Sequence, residues 1–307
     1  MKLDDIGAYS DLELLVREAM SGPSIGKYHS PYHGYSVEFS QHKAYTSGES
    51  VRHLDWKLLA RTEKPYLKVY NAETNLKALL WMDVSPSLHF PSHNLLKLKF
   101  SLFLNACLSM ALQKGRDGVG LVEWNQDHMR ISDVRSSQLH LHKLLATFDQ
   151  HWNQLQPGRR TPVLNQTLNW LELVRQSGRR SLVVISTDLE FNQEQKGQQK
   201  QFEEALALLR HQHCEVLLFH IQHGQMESSL ELDAKAPTKF VDLETGETLK
   251  LDPSLYKKAY QQTIQKENAY WQSLCLSLGV DYQWVDASDH IEIPIRAFYS
   301  RRNALFR

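Results

Sequence analysis

Five short apolar runs lie between residues 76 and 288 of this sequence. At least three of them are apolar at nearly every position, which is typical of strands covered on both faces of a sheet. The runs are LKALLWMD (76–83), GVGLVEWN (118–125), SLVVISTD (181–188), CEVLLFHI (214–221) and DYQWVDAS (281–288). They predict five strands of one central sheet.

Between most of these runs, apolar residues recur at helical spacing and charged residues take the other positions. This pattern predicts helices at 93–114, 137–150, 162–177, 198–212 and 254–278. The first of them stops at Gly115, which is a suitable C-cap. Strands that alternate with helices imply right-handed crossovers, and therefore a parallel sheet covered by helices.

One connection is too short to hold a crossover helix. The run GVGLVEWN joins the segment HMRISD (128–133) through Asn125-Gln126-Asp127, which predicts an antiparallel hairpin. We therefore expect an α/β fold with a mostly parallel, doubly wound sheet and one antiparallel edge strand.

Two irregular stretches interrupt the alternation of strands and helices. Residues 28–70 hold β-like runs at 35–39 and 66–70 around a predicted helix at 50–61, and residues 239–251 form a hairpin pattern around Thr245-Gly246. We predict that both stretches pack into a small β-rich annex. The expected domains are 1–72 (N-terminal helix and annex), 73–290 (α/β domain, with the insertion 224–252 assigned to the annex) and 291–307 (C-terminal helical tail).

Composition narrows the class of protein. Thirty-five basic residues balance thirty-five acidic ones, so no general electrostatic attraction holds the chain to nucleic acid or to anionic lipid. The three cysteines form no Cys-x-x-Cys pair, which fits a reducing compartment. Signal-peptide features are absent, and no uninterrupted apolar stretch reaches the roughly 20 residues that cross a bilayer. We expect a soluble cytoplasmic protein without a membrane span and without nucleic acid as a partner.

Candidate chemistry begins at the end of the first apolar run. Asp83, Ser85 and Ser87 alternate in the segment DVSPS, so one carboxylate and two hydroxyls can converge on one cation. Such oxygen ligands suit Mg²⁺, and Mn²⁺ accepts the same set. Thr161, in a loop before a helix, and Asp188, at the end of SLVVISTD, could supply two more oxygens. Ligands of open α/β sheets gather at the carboxyl ends of strands where the strand order reverses. If the first and SLVVISTD strands are neighbours at that reversal, Asp83 and Asp188 face each other there.

Two carboxylates and three hydroxyls leave such a cation under-coordinated by this chain. An Asp or Glu of a partner could complete the shell, which would make the metal an adhesive and not a catalyst. Neither acid has a neighbouring His, and no Gly-x-Ser-x-Gly elbow occurs. Two alternatives remain open: Ser85, Ser87 and Thr161 as ordinary helix caps without a metal, and a Mg²⁺-dependent phosphatase with Asp83 as nucleophile.

These residues resemble two known patterns. DVSPS, Thr161 and Asp188 resemble the metal-ion-dependent adhesion site of von Willebrand factor A-type domains, whose signature is Asp-x-Ser-x-Ser with a later Thr and Asp. Upstream residues look like the N-terminal motif of the bacterial family called domain of unknown function fifty-eight: Gly34, Glu38-Phe39, Tyr45, Gly48-Glu49, Arg52, Asp55-Trp56 and Ala60-Arg61. VDLETGE (241–247) and the tail at 296–302 are similar to that family's C-terminal features. The family usually has Gly-Asp at 48–49 and Ser-Asp at 187–188.

The resemblance implies a von Willebrand A-like fold with Mg²⁺ or Mn²⁺ at the five oxygen-bearing residues. Members of the family are often encoded near MoxR-type AAA+ ATPases, and the pair is proposed to mature or remodel other proteins as a chaperone does. By this analogy we expect a non-catalytic adaptor whose metal site binds an acidic residue of a partner or client. Many relatives carry membrane-spanning helices before the N-terminal motif, and their absence here supports a soluble form.

Overall fold

Helices and strands alternate along most of the chain. The structure, a computed structural model, describes residues 12–21, 34–46, 54–73, 76–91, 94–125, 127–154, 166–191, 196–230, 237–243 and 246–304. Its strands are β1 (Gly34–Ala44), β2 (Tyr66–Glu73), β3 (Lys77–Asp83), β4 (Gly118–Trp124), β5 (His128–Ile131), β6 (Gln166–Thr167), β7 (Leu182–Thr187), β8 (Glu215–Gln222), β9 (Thr238–Val241), β10 (Thr248–Leu251) and β11 (Asp281–Asp286). Its helices are α1 (Leu12–Ser21), α2 (Trp56–Thr62), α3 (Leu96–Lys114), α4 (Gln138–Gln154), α5 (Trp170–Ser177), α6 (Lys196–His211), α7 (Pro253–Leu278) and α8 (Glu292–Ala304). The chain divides into two units, residues 29–76 and residues 1–28 with 77–307.

The central sheet belongs to the larger unit. Its described strands follow the order β11-β8-β7-β3-β4-β5-β6. The pairs from β11 to β4 are parallel, which confirms the mostly parallel sheet. β5 pairs antiparallel with β4, as the hairpin pattern predicts, but β6 pairs antiparallel with the outer side of β5. The outermost described strand, β6, therefore runs in the same direction as β4. The sheet has one antiparallel strand among those described, as predicted, but that strand is β5, and the prediction that it forms the edge is wrong.

The short strand β6 also corrects a helix boundary. The apolar pattern predicts a helix over 162–177, but Gln166–Thr167 pair with β5. The side chain of Asn169 then accepts a hydrogen bond from the backbone N of Glu172 at 3.1 Å, so α5 begins at Trp170. Such a cap fixes the start of a helix because it satisfies an amide of the first turn.

The smaller unit contains one antiparallel pair, β1 with β2. The helix between them is capped by Asp55, which accepts hydrogen bonds from the backbone N atoms of Lys57 and Leu58. α2 therefore begins at Trp56, later than the predicted start at residue 50. Residues 47–53, which include part of the family's N-terminal motif, lie outside the described residues.

The hairpin β9–β10 forms a second antiparallel pair, as the pattern around Thr245-Gly246 predicts. It belongs to the same unit as the central sheet, whereas the sequence pattern groups residues 224–252 with the N-terminal annex. Helix α1 also belongs to that larger unit and contacts α3 and α4, although the predicted domain 1–72 includes it. A lone helix buries little apolar surface by itself, so α1 packs on the larger core.

The two faces of the sheet are covered differently. On one face, α3 is buried around nearly its whole circumference, including the polar side chains of Lys97 and Asn105. On the other face, Phe202 of α6 packs against Trp170 and Trp124, with ring centroids 5.0 and 6.3 Å away. Edge-to-face and stacked contacts of this kind add to the free energy of burial. Among the described helices, none is long and apolar enough to cross a bilayer.

The aromatic cluster makes Phe202 a test of the core. Phe202 is fully buried and contacts Phe191 and Trp271 as well as the two tryptophans. We expect Phe202→Ala to lower the free energy of unfolding by about 3–5 kcal/mol, because it leaves a cavity between helices and sheet. Urea unfolding followed by far-ultraviolet circular dichroism measures this loss.

Leu208 of the same helix supplies the matched control. Its side chain is 38% exposed, so Leu208→Ala removes less buried surface, and we expect a loss below about 1 kcal/mol. Equal losses for the two variants would contradict the position of Phe202 in the core.

Candidate metal centre

The candidate site lies where the strand order of the sheet reverses. β3 is followed along the chain by β4 on one side, while β7 lies on its other side and later strands continue outward from β7. Asp83 is the last residue of β3, and Asp188 directly follows β7. Because β3 and β7 are parallel neighbours, these two residues lie at the same edge of the sheet, as expected for a switch point.

Backbone and hydroxyl groups hold the carboxylate of Asp83. The backbone N of Ser85 donates to its Oδ1 at 2.8 Å, and the hydroxyl of Thr187 donates to its Oδ2 at 2.7 Å. The Oγ atoms of Ser85 and Ser87 lie 2.9 Å apart, within hydrogen-bond distance. All of these side chains are buried. The segment DVSPS therefore folds so that one carboxylate and two hydroxyls lie together.

The helix-cap explanation of the two serines finds no support in these contacts. Ser85 precedes a short 3₁₀-helix, Pro86–His89, but its side chain makes no capping hydrogen bond. The residue at the N-cap of α3 is Leu95, which has no polar side chain. The hydroxyls of Ser85 and Ser87 are therefore not used as caps of either helix.

Burial and a neighbouring acid perturb Asp83. Burial, and to a smaller extent the negative charge of Asp188, raise the pKa of Asp83 to about 7, while hydrogen bonds from Thr187 and Ser85 oppose the change. A carboxyl group with this pKa is only partly ionised at neutral pH. A divalent cation between the two acids would remove their repulsion and favour both ionised forms.

A buried lysine shares this site. The side chain of Lys97, in the first turn of α3, is fully buried. Its Nζ lies 3.0 Å from Asp188 Oδ2, 2.5 Å from Glu227 Oε1 and 3.6 Å from Glu190 Oε1. Burial alone would lower the pKa of Lys97, but Asp188, Glu190 and Glu227 raise it above its ordinary value. Lys97 is therefore charged and compensates part of the negative charge of Asp188.

Glu227 reaches Lys97 from the turn after β8. Its Oε2 accepts a hydrogen bond from the backbone N of His223 at 2.6 Å, and its other oxygen accepts from Lys97. Burial raises the pKa of Glu227, and the charge of Lys97 opposes that change. The ammonium thus connects three segments of the chain: α3, the end of β7 and the turn after β8.

The donor set fits a small, hard cation. Asp83, Asp188, Ser85 and Ser87 offer carboxylate and hydroxyl oxygens, which Mg²⁺ and Mn²⁺ prefer to nitrogen or sulfur. The repulsion between the two buried acids, which contributes to the raised pKa of Asp83, also favours a cation at this position. Within the described residues, no group of three or more His, Cys, Asp or Glu side chains is arranged for a metal. The candidate ligands are thus two carboxylates supplemented by hydroxyls.

The structure brings together four of the five residues named from the sequence, and Thr161 lies outside the described residues. Three further groups of the site were not predicted: Lys97, Glu227 and the hydroxyl of Thr187. The sequence could have indicated Lys97, because a lysine inside a helix that is apolar on every face must be buried and therefore paired. No sequence pattern indicates Glu227, since only folding brings it to the site.

Comparison with known proteins assigns the chain to a family. A family profile described as "Protein of unknown function DUF58" matches residues 41–270, well over half of the chain. This chain belongs to the DUF58 family. The uncharacterized proteins Rv1480 of Mycobacterium tuberculosis (strain H37Rv) and Mb1516 of Mycobacterium bovis are each 27% identical to it over 140 residues, which is 46% of this chain and 44% of theirs. The match therefore spans less than half the length of these relatives.

Lys97 of this DUF58 protein is open to a direct test. Lys97→Met removes the ammonium and leaves buried carboxylates without their counter-charge, so we expect the free energy of unfolding to fall by about 3–5 kcal/mol. Adding Glu227→Gln to this variant removes one of those charges and should restore part of the loss. Urea unfolding in the presence of a chelator measures both effects.

Lys99→Met is the matched control, because Lys99 lies in the same turn but is only half-buried, with its ammonium 5.9 Å from the centroid of the Trp152 ring. We expect it to cost less than about 1 kcal/mol. If Lys97→Met lowers the free energy of unfolding no more than Lys99→Met does, the ammonium of Lys97 does not stabilise the site.

Proposed function

We propose that this DUF58 protein is a non-catalytic adaptor that binds other proteins through a divalent ion, Mg²⁺ or Mn²⁺. In this proposal the larger unit is a von Willebrand A-like domain with a metal-ion-dependent adhesion site at Asp83, Ser85, Ser87, Asp188 and Thr161. The observation that carries it is the buried pair Asp83 and Asp188 at the switch point of the sheet. Two serine hydroxyls that cap no helix lie beside Asp83.

The order of the strands supports the proposed fold. The Asp-x-Ser-x-Ser segment follows β3, which lies in the middle of the sheet between β4 and β7. Helices cover both faces, and the second acid follows the neighbouring strand β7. A cation there would lie outside the carboxyl ends of the strands, where open α/β sheets bind ligands.

The chain's own residues would hold the ion and leave one position for a partner. When bound, the ion supplies a Lewis-acidic position that a carboxylate can occupy. Lys97 compensates part of the charge of Asp188, so the site as a whole is less negative than its carboxylates alone. This partial compensation favours an added acidic side chain, an Asp or Glu of a partner or client protein.

The contacts of Asp83 favour binding over catalysis. Its oxygens accept hydrogen bonds from an amide and from a hydroxyl, neither of which is a proton donor suited to a leaving group. The enzymatic alternative, a Mg²⁺-dependent phosphatase with Asp83 as nucleophile, needs a general acid nearby. For haloacid-dehalogenase-type chemistry that acid would stand where this chain has Ser85.

The proposed partner is a MoxR-type AAA+ ATPase. This partner is what the family resemblance implies, and the family match over residues 41–270 covers the proposed metal ligands. Together the two proteins would mature or remodel client proteins in the cytoplasm. The acidic residue that reaches the metal ion would come from the ATPase or from the client.

Asp83→Asn tests the metal site. We expect Mg²⁺ to raise the melting temperature of the wild-type protein by binding the native state, and to leave that of Asp83→Asn unchanged. In chelator, the variant should be as stable as the wild type or more stable, because the repulsion with Asp188 is gone. Isothermal titration with Mg²⁺ and with Mn²⁺, together with thermal unfolding, measures these effects.

Binding of a purified MoxR-type ATPase from the source organism is measured in parallel, with Mg²⁺ and with chelator. Asp289→Asn, which alters an exposed acid, is the control and should behave as the wild type. Partner binding that persists in chelator or in Asp83→Asn would overturn the adhesive role. Turnover of a phosphate ester that Asp83→Asn abolishes would instead favour the phosphatase.

A further inference from the structure

A groove of about 650 Å³ lies beside the candidate metal centre, within the larger unit. Its walls are formed by the hairpin β9–β10, by α7 and by the segment after β7. Ser87 and Asp188 belong to its lining, so the groove opens next to the proposed metal ligands. Most of its lining, however, plays no part in the metal centre.

The groove is acidic. Glu190, Glu227 and Glu267 line it together with Asp188, and Lys266 is a basic residue of the same lining. Below them, the single ammonium of Lys97 is shared by Asp188, Glu190 and Glu227. The lining therefore carries more acidic than basic side chains, and such a surface attracts cations.

Aromatic rings form much of the remaining lining. Phe191 and Trp271 pack together with centroids 6.0 Å apart, and Tyr260 and Phe90 lie in the same lining. The ammonium of Lys97 already lies 5.8 Å from the centroid of the Phe90 ring, so this site accommodates a cation over an aromatic face. Carboxylates combined with aromatic faces suit a guanidinium, which is planar and weakly hydrated.

The rim of the groove favours a polypeptide over a small amine as the ligand. Val241 and Leu243, next to the hairpin turn, belong to the lining, and Val241 is 51% exposed. A free amine would leave these apolar side chains in water, whereas a polypeptide that extends from the groove would cover them. The surface therefore combines an acidic floor with an apolar rim.

We propose that this groove binds a basic side chain of a partner polypeptide, and that arginine fits it best. The guanidinium lies against the aromatic walls and donates to Glu190 and Glu267. The apolar rim contacts the residues on either side of the arginine. This interaction does not require the metal ion of the proposed function.

A peptide with one arginine flanked by glycines, blocked at both ends, is the probe. Its binding is followed in chelator through the backbone amide cross-peaks of Tyr260 and Trp271 and the indole cross-peak of Trp271 in a nitrogen–proton correlation spectrum. We expect a dissociation constant in the millimolar range, as is usual for a single side chain, and about tenfold weaker binding when citrulline replaces arginine. Citrulline keeps the shape of arginine and removes its charge.

Two double variants test the location of the site. Glu190→Gln with Glu267→Gln removes two groove charges and should weaken binding of the arginine peptide about tenfold. Glu204→Gln with Asp289→Asn removes two exposed charges elsewhere and should leave binding unchanged.

Three results would each overturn the proposal. They are equal binding of the citrulline peptide, equal loss in both double variants, and no response at tens of millimolar peptide. Asp83→Asn should bind the arginine peptide as the wild type does. A failure of the metal site therefore cannot be mistaken for a failure of the groove.

Discussion

The arrangement of the site depends on one buried ammonium. Lys97 comes from α3, and the acids it contacts come from the end of β7 and from the turn after β8. A charge taken fully out of water is tolerated only when it is paired and hydrogen-bonded, so these segments must stay together for the core to remain stable. The same contact that stabilises the fold therefore fixes the positions of Asp188 and Glu227.

Lys97 does not contact every acid of this region. The acids that it does not contact determine which ligands the region favours. Asp83 accepts hydrogen bonds from neutral groups, and burial raises its pKa to about 7. The groove next to it carries more acidic than basic side chains. Both features favour positively charged ligands, a divalent ion in one place and a basic side chain in the other. Ser87 and Asp188 belong to both, whereas Asp83 is not part of the groove lining.

Much of the fold follows from local patterns. Continuous apolar runs predict the buried strands, and their spacing by helices predicts that these strands are parallel. The order that places β3 beside β7 comes from the structure. The errors have a common cause. The two residues of β6, and with them the later start of α5, depend on pairing with the distant strand β5, and local periodicity carries no information about such a partner.

The candidate site divides in the same way. The sequence by itself determined that Asp83, Ser85 and Ser87 lie together, because alternate residues of one short loop have little freedom to separate, and that Asp188 ends a strand of the same sheet. Only the tertiary structure decided that Lys97 and Glu227 join them and that the segments around β9–β10 and α7 enclose a groove beside them. These contacts join residues far apart in the chain. The burial that strengthens the electrostatic interactions between their charges exists only after the chain has folded.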